Sequence, residues 1–148
     1  MNLPPIRRQV VVPAPPDRAF DVFTRDIGAW WPVHRHSVHG AGSRPAFTGG
    51  ELVETGPGGE QVPWGSVLAW EPPHRLRITW HPGYEAERAG EVEVTFAPAD
   101  DGTTLVTLTH HGWDRFPDPA AARESYREGW PVVLAAYVAA VPSASVGA

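Results

Sequence analysis

Two residue types are absent from this 148-residue chain, and each absence removes a class of chemistry. There is no cysteine, which excludes disulfides, thiolate metal sites and cysteine nucleophiles. There is also no lysine, so all 12 basic residues are arginines. A Schiff-base lysine and the lysine of a phosphate-binding loop are therefore excluded too. Because alanine, glycine, proline and arginine are abundant, we attribute the lack of lysine to a biased genome.

Excess positive charge and long apolar runs are missing as well. The net charge is −5, and the arginines are scattered, which argues against nucleic acid or an anionic membrane as a partner. The longest apolar run, WPVVLAAYVAAVP, is shorter than the ~20 residues of a membrane span, and the N-terminus lacks the apolar core of a signal peptide. We predict one cytoplasmic domain over residues 1–148, with its core at about 6–141 and a flexible tail at 142–148.

The first third of the chain predicts a strand, two short helices and a loop. Val10–Val12 end the strand before a proline, and PAPPDRAFDVF (residues 13–23) shows helical spacing of its apolar residues. DIGAWW (residues 26–31) predicts the second short helix. Residues 33–49 contain three glycines and a proline and predict a long loop, a kind of segment that is often functional.

The rest predicts a meander of strands and a long C-terminal helix. The strand segments are ELVET, QVPWGSVLAW, RLRITW, EVEVTF and TTLVTLTHH, and their alternation indicates a sheet with one covered face. Asp118 and Pro119 predict the start of a helix that runs to about 141 and contains Pro131, which should kink it. Its apolar stripe is Ala122, Tyr126, Trp130, Val133, Tyr137 and Val141.

These elements, in this order, resemble the START-like (Bet v 1-like, SRPBCC, helix-grip) superfamily. Within it, the chain is most similar to the activator of heat-shock protein 90 ATPase homologue branch. The resemblance rests on VVVPAPPDRAFDVFT, on WW followed by His36-Ser37, on WGSVLAWEPPHRLRITW, and on LTHHGW with YREGW. It implies an α+β helix-grip fold. A curved antiparallel sheet of about six strands would wrap around the long C-terminal helix, with two short helices after the first strand.

The superfamily's usual cavity lies between the long helix and the sheet, and seven tryptophans make an aromatic lining plausible here. Alternation places Trp80 and His110 on the inner face, and the helix stripe places Tyr126 and Trp130 opposite them. A buried imidazole needs hydrogen-bond partners, and Tyr126 is the candidate partner for His110. The predicted ligand-binding residues are Trp31, His36, Trp64, Trp80, His110, Tyr126 and Trp130.

The stretch WWPVHRHSVH raises a second interpretation, a metal site made by His34, His36 and His39. On a strand, His34 and His36 would face one side, whereas His39 would face the other. No acidic residue lies between Pro32 and Glu51 to complete the set. We therefore expect no metal and no cofactor, and we place the segment at the mouth of the cavity, with His36 as its predicted functional histidine.

Three hypotheses for function remain open. The first is a protein that binds a small hydrophobic or aromatic molecule and catalyses no assignable reaction. The second is a chaperone-cofactor-like interaction module, with a chaperone as its partner. The third is a cyclase- or hydrolase-type enzyme that uses His110 as an acid or base. The sequence predicts a monomer or a homodimer.

Overall fold

A computed structural model describes residues 3–33, 36–82, 85, 87 and 89–141. The elements follow one another in the predicted order of strand, short helices, meander and long helix. They are β1 (Ile6–Val12), α1 (Pro16–Thr24), α2 (Ile27–Trp30), β2 (Arg44–Thr48), β3 (Glu51–Thr55), β4 (Gln61–Glu71), β5 (Arg75–Trp80), β6 (Gly90–Pro98), β7 (Thr104–His111) and α3 (Pro119–Ala140).

The strands form one antiparallel sheet in the order β1-β7-β6-β5-β4-β3-β2. The predicted alternation is confirmed, since β5 buries Leu76, Ile78 and Trp80 on one face. On the other face, Arg75 pairs with Glu93 across the strands at 2.6 Å. The sheet therefore has one charged face in water and one apolar face that must be covered.

The predicted loop at residues 33–49 was too long, because part of it forms a strand. Arg44–Thr48 forms β2, which pairs with β3 at the sheet edge, so the described sheet has seven strands rather than about six. Pro45 is compatible with this position because an edge strand leaves part of its backbone unpaired. Gly49 and Gly50 then take positive φ angles of 58° and 80° in the turn to β3, a conformation that favours glycine.

Helix α3 covers the apolar face, as the sequence predicted. The Asp118 carboxylate accepts a hydrogen bond from the Ala121 amide (3.2 Å), which caps the helix. The helix buries Trp130, Val133, Leu134 and Tyr137. The architecture is the predicted α+β helix-grip fold, an open curved sheet around a long C-terminal helix. Of the described helices, none combines the length and apolarity that a membrane crossing requires.

Candidate functional site

A pocket of about 200 Å³ lies between the first half of α3 and the end of β5. Its described lining includes three tryptophans and one tyrosine and contains no aspartate, glutamate, arginine or lysine. Val38, which is 44% exposed, marks the side that faces solvent. The described lining residues are Trp31, His36, Ser37, Val38, Trp80, Pro82, Ser125, Tyr126, Gly129, Trp130 and Val133.

Four aromatic rings from three parts of the fold form the pocket wall. Trp31 follows α2, Trp80 ends β5, and Tyr126 and Trp130 lie one helical turn apart on α3. The ring centroids of Trp31 and Trp80 are 5.9 Å apart, and those of Trp80 and Trp130 are 5.3 Å apart. Tyr126 stacks on Trp130 at 6.0 Å with 27° between the ring planes. These rings make the wall apolar; Trp31, Trp80 and Trp130 are 7%, 3% and 2% exposed, and Tyr126 is the partly buried ring of the four.

Residues 36–39 are here called the rim segment, which contributes His36, Ser37 and Val38 to the pocket lining. The Trp31 indole donates a hydrogen bond to the His36 carbonyl (2.7 Å), which ties this segment to the wall. The His36 imidazole lies over α3 at Gly129, where an added Cβ would be 3.3 Å from His36 Cε1. A glycine inside a helix costs about 1 kcal/mol relative to alanine. We conclude that Gly129 provides the space that the His36 ring occupies.

Glu54 on β3 binds the backbone of the rim segment through its carboxylate. It was not among the site residues predicted from the sequence. This side chain is fully buried, and its carboxylate accepts hydrogen bonds from the amides of Val38 (2.8 Å) and His39 (2.7 Å) and from the Trp64 indole (2.9 Å). Burial alone would raise the pKa of Glu54, but the hydrogen bonds from the two amides, Trp64 and Ser43 outweigh it and lower the pKa. Alternation with Leu52 was the signal that places Glu54 on the inner face.

His110 lies behind the wall, fully buried and facing inward as predicted. Its Nδ1 accepts a hydrogen bond from the Trp130 indole (3.0 Å). The sequence predicted Tyr126 as the partner, but at Nδ1 the partner is Trp130. Tyr126 instead makes an edge contact with the imidazole ring at 4.7 Å. Burial, with a smaller electrostatic contribution from the neighbouring His111, lowers the pKa of His110 to about 3, which keeps the ring neutral at pH 7.

Five of the seven predicted ligand-binding residues line the pocket, namely Trp31, His36, Trp80, Tyr126 and Trp130. The other two, Trp64 and His110, are fully buried and do not belong to the described lining. Both contact residues of the wall: the rings of Trp64 and Trp31 are 5.1 Å apart, and His110 accepts a hydrogen bond from the Trp130 indole.

The metal interpretation concerned His34, His36 and His39. His34 lies outside the described residues. The His39 ring nitrogen Nδ1 is 3.9 Å from the Glu60 carboxylate, and the His39 amide is bound to Glu54. Within the described ranges, no three histidine, aspartate or glutamate side chains are grouped so that they could hold a metal ion.

Comparison with known proteins assigns the family. Residues 13–141 match the family described as Activator of Hsp90 ATPase homolog 1-like protein, and the chain belongs to that family. The predicted resemblance to the heat-shock protein 90 ATPase activator branch of the START-like superfamily is thereby confirmed. No curated protein matches the chain.

Solved structures provide three informative relatives. The anthrahydroquino-gamma-pyrone synthase Txn09, complexed with SUM, is 34% identical over 82% of this chain and 84% of its own, with a TM-score of 0.55. The self-sacrificing resistance protein CalC from Micromonospora echinospora is 26% identical over 93% and 94%, with a TM-score of 0.68. An Hsp90 activator from Plasmodium falciparum is 18% identical over 74% of each chain, with a TM-score of 0.53, and this likeness shows the fold alone.

Proposed function

We propose that this protein binds a small, flat, uncharged aromatic molecule in the pocket beside α3. The observation that carries the proposal is the wall of Trp31, Trp80, Tyr126 and Trp130 around an opening that reaches solvent. Aromatic walls with a few polar groups are typical of small-molecule sites. Here the polar groups at the edge belong to His36 and Ser125.

Size and charge narrow the class of ligand. A pocket of about 200 Å³ is smaller than the roughly 300–1,000 Å³ of pockets that enclose drug-sized ligands, which favours a compact ring system or one ring system of a larger molecule. A charged ligand would lose its hydration without gaining a counter-charge from the described lining. A neutral ring that stacks on tryptophan loses little on leaving water.

The relatives support a ligand that contains fused rings. Txn09, at 34% identity, is a synthase of an anthrahydroquino-gamma-pyrone. This similarity also favours a second candidate function, catalysis on the bound ring system. His110 is an unfavourable acid or base for such a reaction, because it is fully buried and its Nδ1 is engaged by Trp130. His36, which lines the pocket, is the better candidate.

The binding proposal can be tested by calorimetry with 2-naphthol and with trans-2-decalol, which has a similar shape but no aromatic ring. We expect 2-naphthol to bind and trans-2-decalol to bind at least tenfold more weakly, because only the aromatic ring stacks on the wall. Equal affinities would point to a plain hydrophobic cavity. Absence of binding by 2-naphthol and larger fused-ring phenols would contradict the proposal.

A matched pair of helix variants locates the site. Ser125 lines the pocket from an exposed position on α3, so Ser125→Trp should fill the pocket and abolish 2-naphthol binding without disturbing the core. Glu128 is exposed on the same helix and is not part of the described lining, so Glu128→Trp should bind 2-naphthol as the native protein does. Equal binding by both variants would place the ligand elsewhere.

Contact with a chaperone remains an alternative function that the family description supports. It predicts stimulation of the ATPase of a purified Hsp90 by this protein. The Ser125→Trp variant separates the two functions. A chaperone-binding surface away from the pocket would keep its effect on the ATPase when 2-naphthol binding is lost. The oligomeric state and the cellular compartment stay predictions.

A further inference from the structure

Glu54 presents an arrangement that the fold itself does not require. It is a fully buried carboxylate on β3. Among the described residues, no arginine or histidine forms an ion pair with it. Burying a charge is unfavourable unless hydrogen bonds replace the lost water. The replacement comes from the segment beside the pocket, since Oε1 accepts the Val38 amide and Oε2 accepts the His39 amide.

The same carboxylate also connects the rim segment to the aromatic wall. The Trp64 indole donates to Oε1 at 2.9 Å, and the Trp64 ring packs on Trp31 at 5.1 Å. Trp31 in turn donates to the His36 carbonyl. The wall, the carboxylate and the rim segment therefore form one continuous set of contacts, and moving Glu54 would move both sides of the pocket.

The rim segment also makes hydrogen bonds that do not involve Glu54, and Ser43 connects the two sets because it bonds both Ser37 and the Glu54 carboxylate. The Ser37 hydroxyl donates to the Val33 carbonyl and accepts from the Gly40 amide. These bonds set the local turn, whereas the two amide bonds to Glu54 fix where that turn lies against the sheet. Val38 connects Glu54 with the pocket, because its amide binds Glu54 and the residue lines the pocket.

We propose that Glu54 is a positioning residue for the ligand site, which holds residues 36–39 in place as the rim and thereby sets the affinity for the aromatic ligand. The inference rests on the proposed function, because it concerns the same pocket. The residue acts through the rim segment and is not itself part of the described lining. Its negative charge is essential, because both oxygens must accept from an N–H group at once.

Glu54→Gln tests this requirement with nearly the same shape. A carboxamide offers one acceptor oxygen and one NH₂ group, so one of the two rim amides must face a donor. We expect the dissociation constant for 2-naphthol to rise about tenfold, the equivalent of one lost charge-assisted hydrogen bond. Glu60→Gln is the matched control, because Glu60 is more than half exposed, lies near His39 and changes the net charge equally.

Hydrogen exchange measured by NMR distinguishes a positioning role of Glu54 from a general contribution to stability, because only the positioning role predicts a change confined to the rim amides. In the native protein, the Val38 and His39 amides should be protected even without ligand, and in Glu54→Gln both should exchange at least tenfold faster. Amides in the β1–β7 pair should keep their protection, since they lie far along the sheet order from β3. Unprotected Val38 and His39 amides in the native protein would overturn the proposal.

The two arms separate failure of this inference from failure of the proposed function. If native protein binds no aromatic probe, the pocket proposal fails while the exchange experiment still decides whether Glu54 holds the rim. If Glu54→Gln binds 2-naphthol as tightly as native protein, the positioning role is wrong and the pocket proposal stands.

If Glu54→Gln does not fold, Trp64→Phe replaces it. It removes one donor from Oε1, and about threefold weaker binding with faster exchange at Val38 is expected, whereas no change in either would overturn the proposal.

Discussion

The two halves of α3 face aromatic clusters of different character. In the C-terminal half, Tyr137 contacts Phe23 at 5.1 Å and Trp30 at 5.3 Å, and Phe23 continues to Phe96 at 5.9 Å. The polar atoms of this cluster are paired, since Tyr137 donates to the Ala19 carbonyl (2.8 Å) and Trp30 to the Val22 carbonyl (2.7 Å). We call Phe23, Trp30, Phe96 and Tyr137 the closed cluster.

The N-terminal half of α3 borders the pocket, and some buried nitrogens of the rings beside it are unpaired, although of these rings only Trp80 belongs to the described pocket lining. Among the described residues, the buried nitrogens Trp80 Nε1, His110 Nε2 and Trp113 Nε1 have no hydrogen-bond partner. Each unpaired buried donor costs roughly 1–3 kcal/mol. We call Trp80, His110, Trp113, Tyr126 and Trp130 the open cluster.

This difference separates what stabilises the fold from what serves the pocket. In the closed cluster, the two polar side-chain groups, those of Tyr137 and Trp30, are both hydrogen-bonded, as in a structural core. The open cluster combines an opening, stacked rings and unpaired donors, and such local departures from the best arrangement concentrate at functional sites. Variants in the closed cluster should therefore change stability alone, whereas variants in the open cluster should change binding or the pH dependence of stability.

The largest effect is expected for Phe96→Ala in the closed cluster. Phe96 is 2% exposed and contacts both Phe20 and Phe23 edge-on, so its removal leaves a cavity. We expect the free energy of unfolding in urea to fall by about 3–5 kcal/mol, with 2-naphthol affinity unchanged in the folded protein. Phe47→Ala is the control, because Phe47 is only partly buried at the sheet edge and should cost less. Equal losses would show that the closed cluster is not the main source of stability.

The second effect is a pH dependence from His110 in the open cluster. Burial lowers its pKa to about 3 in the folded protein, whereas the unfolded chain takes up the proton near the ordinary value of 6.5. The unfolded state therefore binds more protons below pH 6.5, and the stability present above this pH is lost as the pH falls towards 3. Between pH 6 and pH 5, the loss due to His110 should be about 1 kcal/mol.

The measurement compares urea unfolding of native protein and His110→Phe at pH 7, 6 and 5. The difference in slope isolates His110, because the other titrating groups occur in both proteins. His111→Gln is the control for the neighbouring charge, since the His111 side chain is nearly half exposed and lies 3.3 Å from Glu91 on the wet face. Parallel curves for native protein and His110→Phe would mean that His110 is protonated in the fold and that its surroundings are more polar than the open cluster implies.

The third effect concerns the hydroxyl of Tyr137. Burial raises its pKa, and the neutral hydroxyl donates to the Ala19 carbonyl on α1. Tyr137→Phe keeps the ring and leaves that carbonyl without this donor, so a loss of about 1 kcal/mol in unfolding free energy is expected. Binding of 2-naphthol serves as the internal control and should not change. A change in affinity would show that the two clusters are coupled through α3.

Periodicity in the sequence predicted the parts of this comparison that depend on local patterns. The alternation of Leu76, Ile78 and Trp80 fixed the inner face of β5, and the stripe on α3 placed Trp130 and Tyr137 inside. These predictions succeeded because side-chain direction follows directly from the strand and helix repeats.

The features that were missed depend on contacts between distant segments. The glycines around Pro45 concealed β2, which exists because β3 offers it a pairing edge. Glu54 was not among the predicted site residues, although alternation with Leu52 places it inside, because its hydrogen-bond donors include an amide fifteen residues away. The bond from Trp130 to His110 likewise required the position of α3 across β7, which no local repeat contains.

The smallest change in stability, and the sharpest contrast with Phe96→Ala, is expected for Gly129→Ala. Alanine favours the helix by up to about 1 kcal/mol, so the unfolding free energy should stay the same or rise. The new Cβ would lie 3.3 Å from His36 Cε1 and push the imidazole towards the pocket, so 2-naphthol should bind several-fold more weakly. Glu128→Ala is the control, since it changes an exposed neighbour and should leave binding intact. Calorimetry and urea unfolding of both variants decide the matter. If Gly129→Ala binds normally, the His36 ring does not border the ligand, and the pocket is formed by the aromatic wall alone.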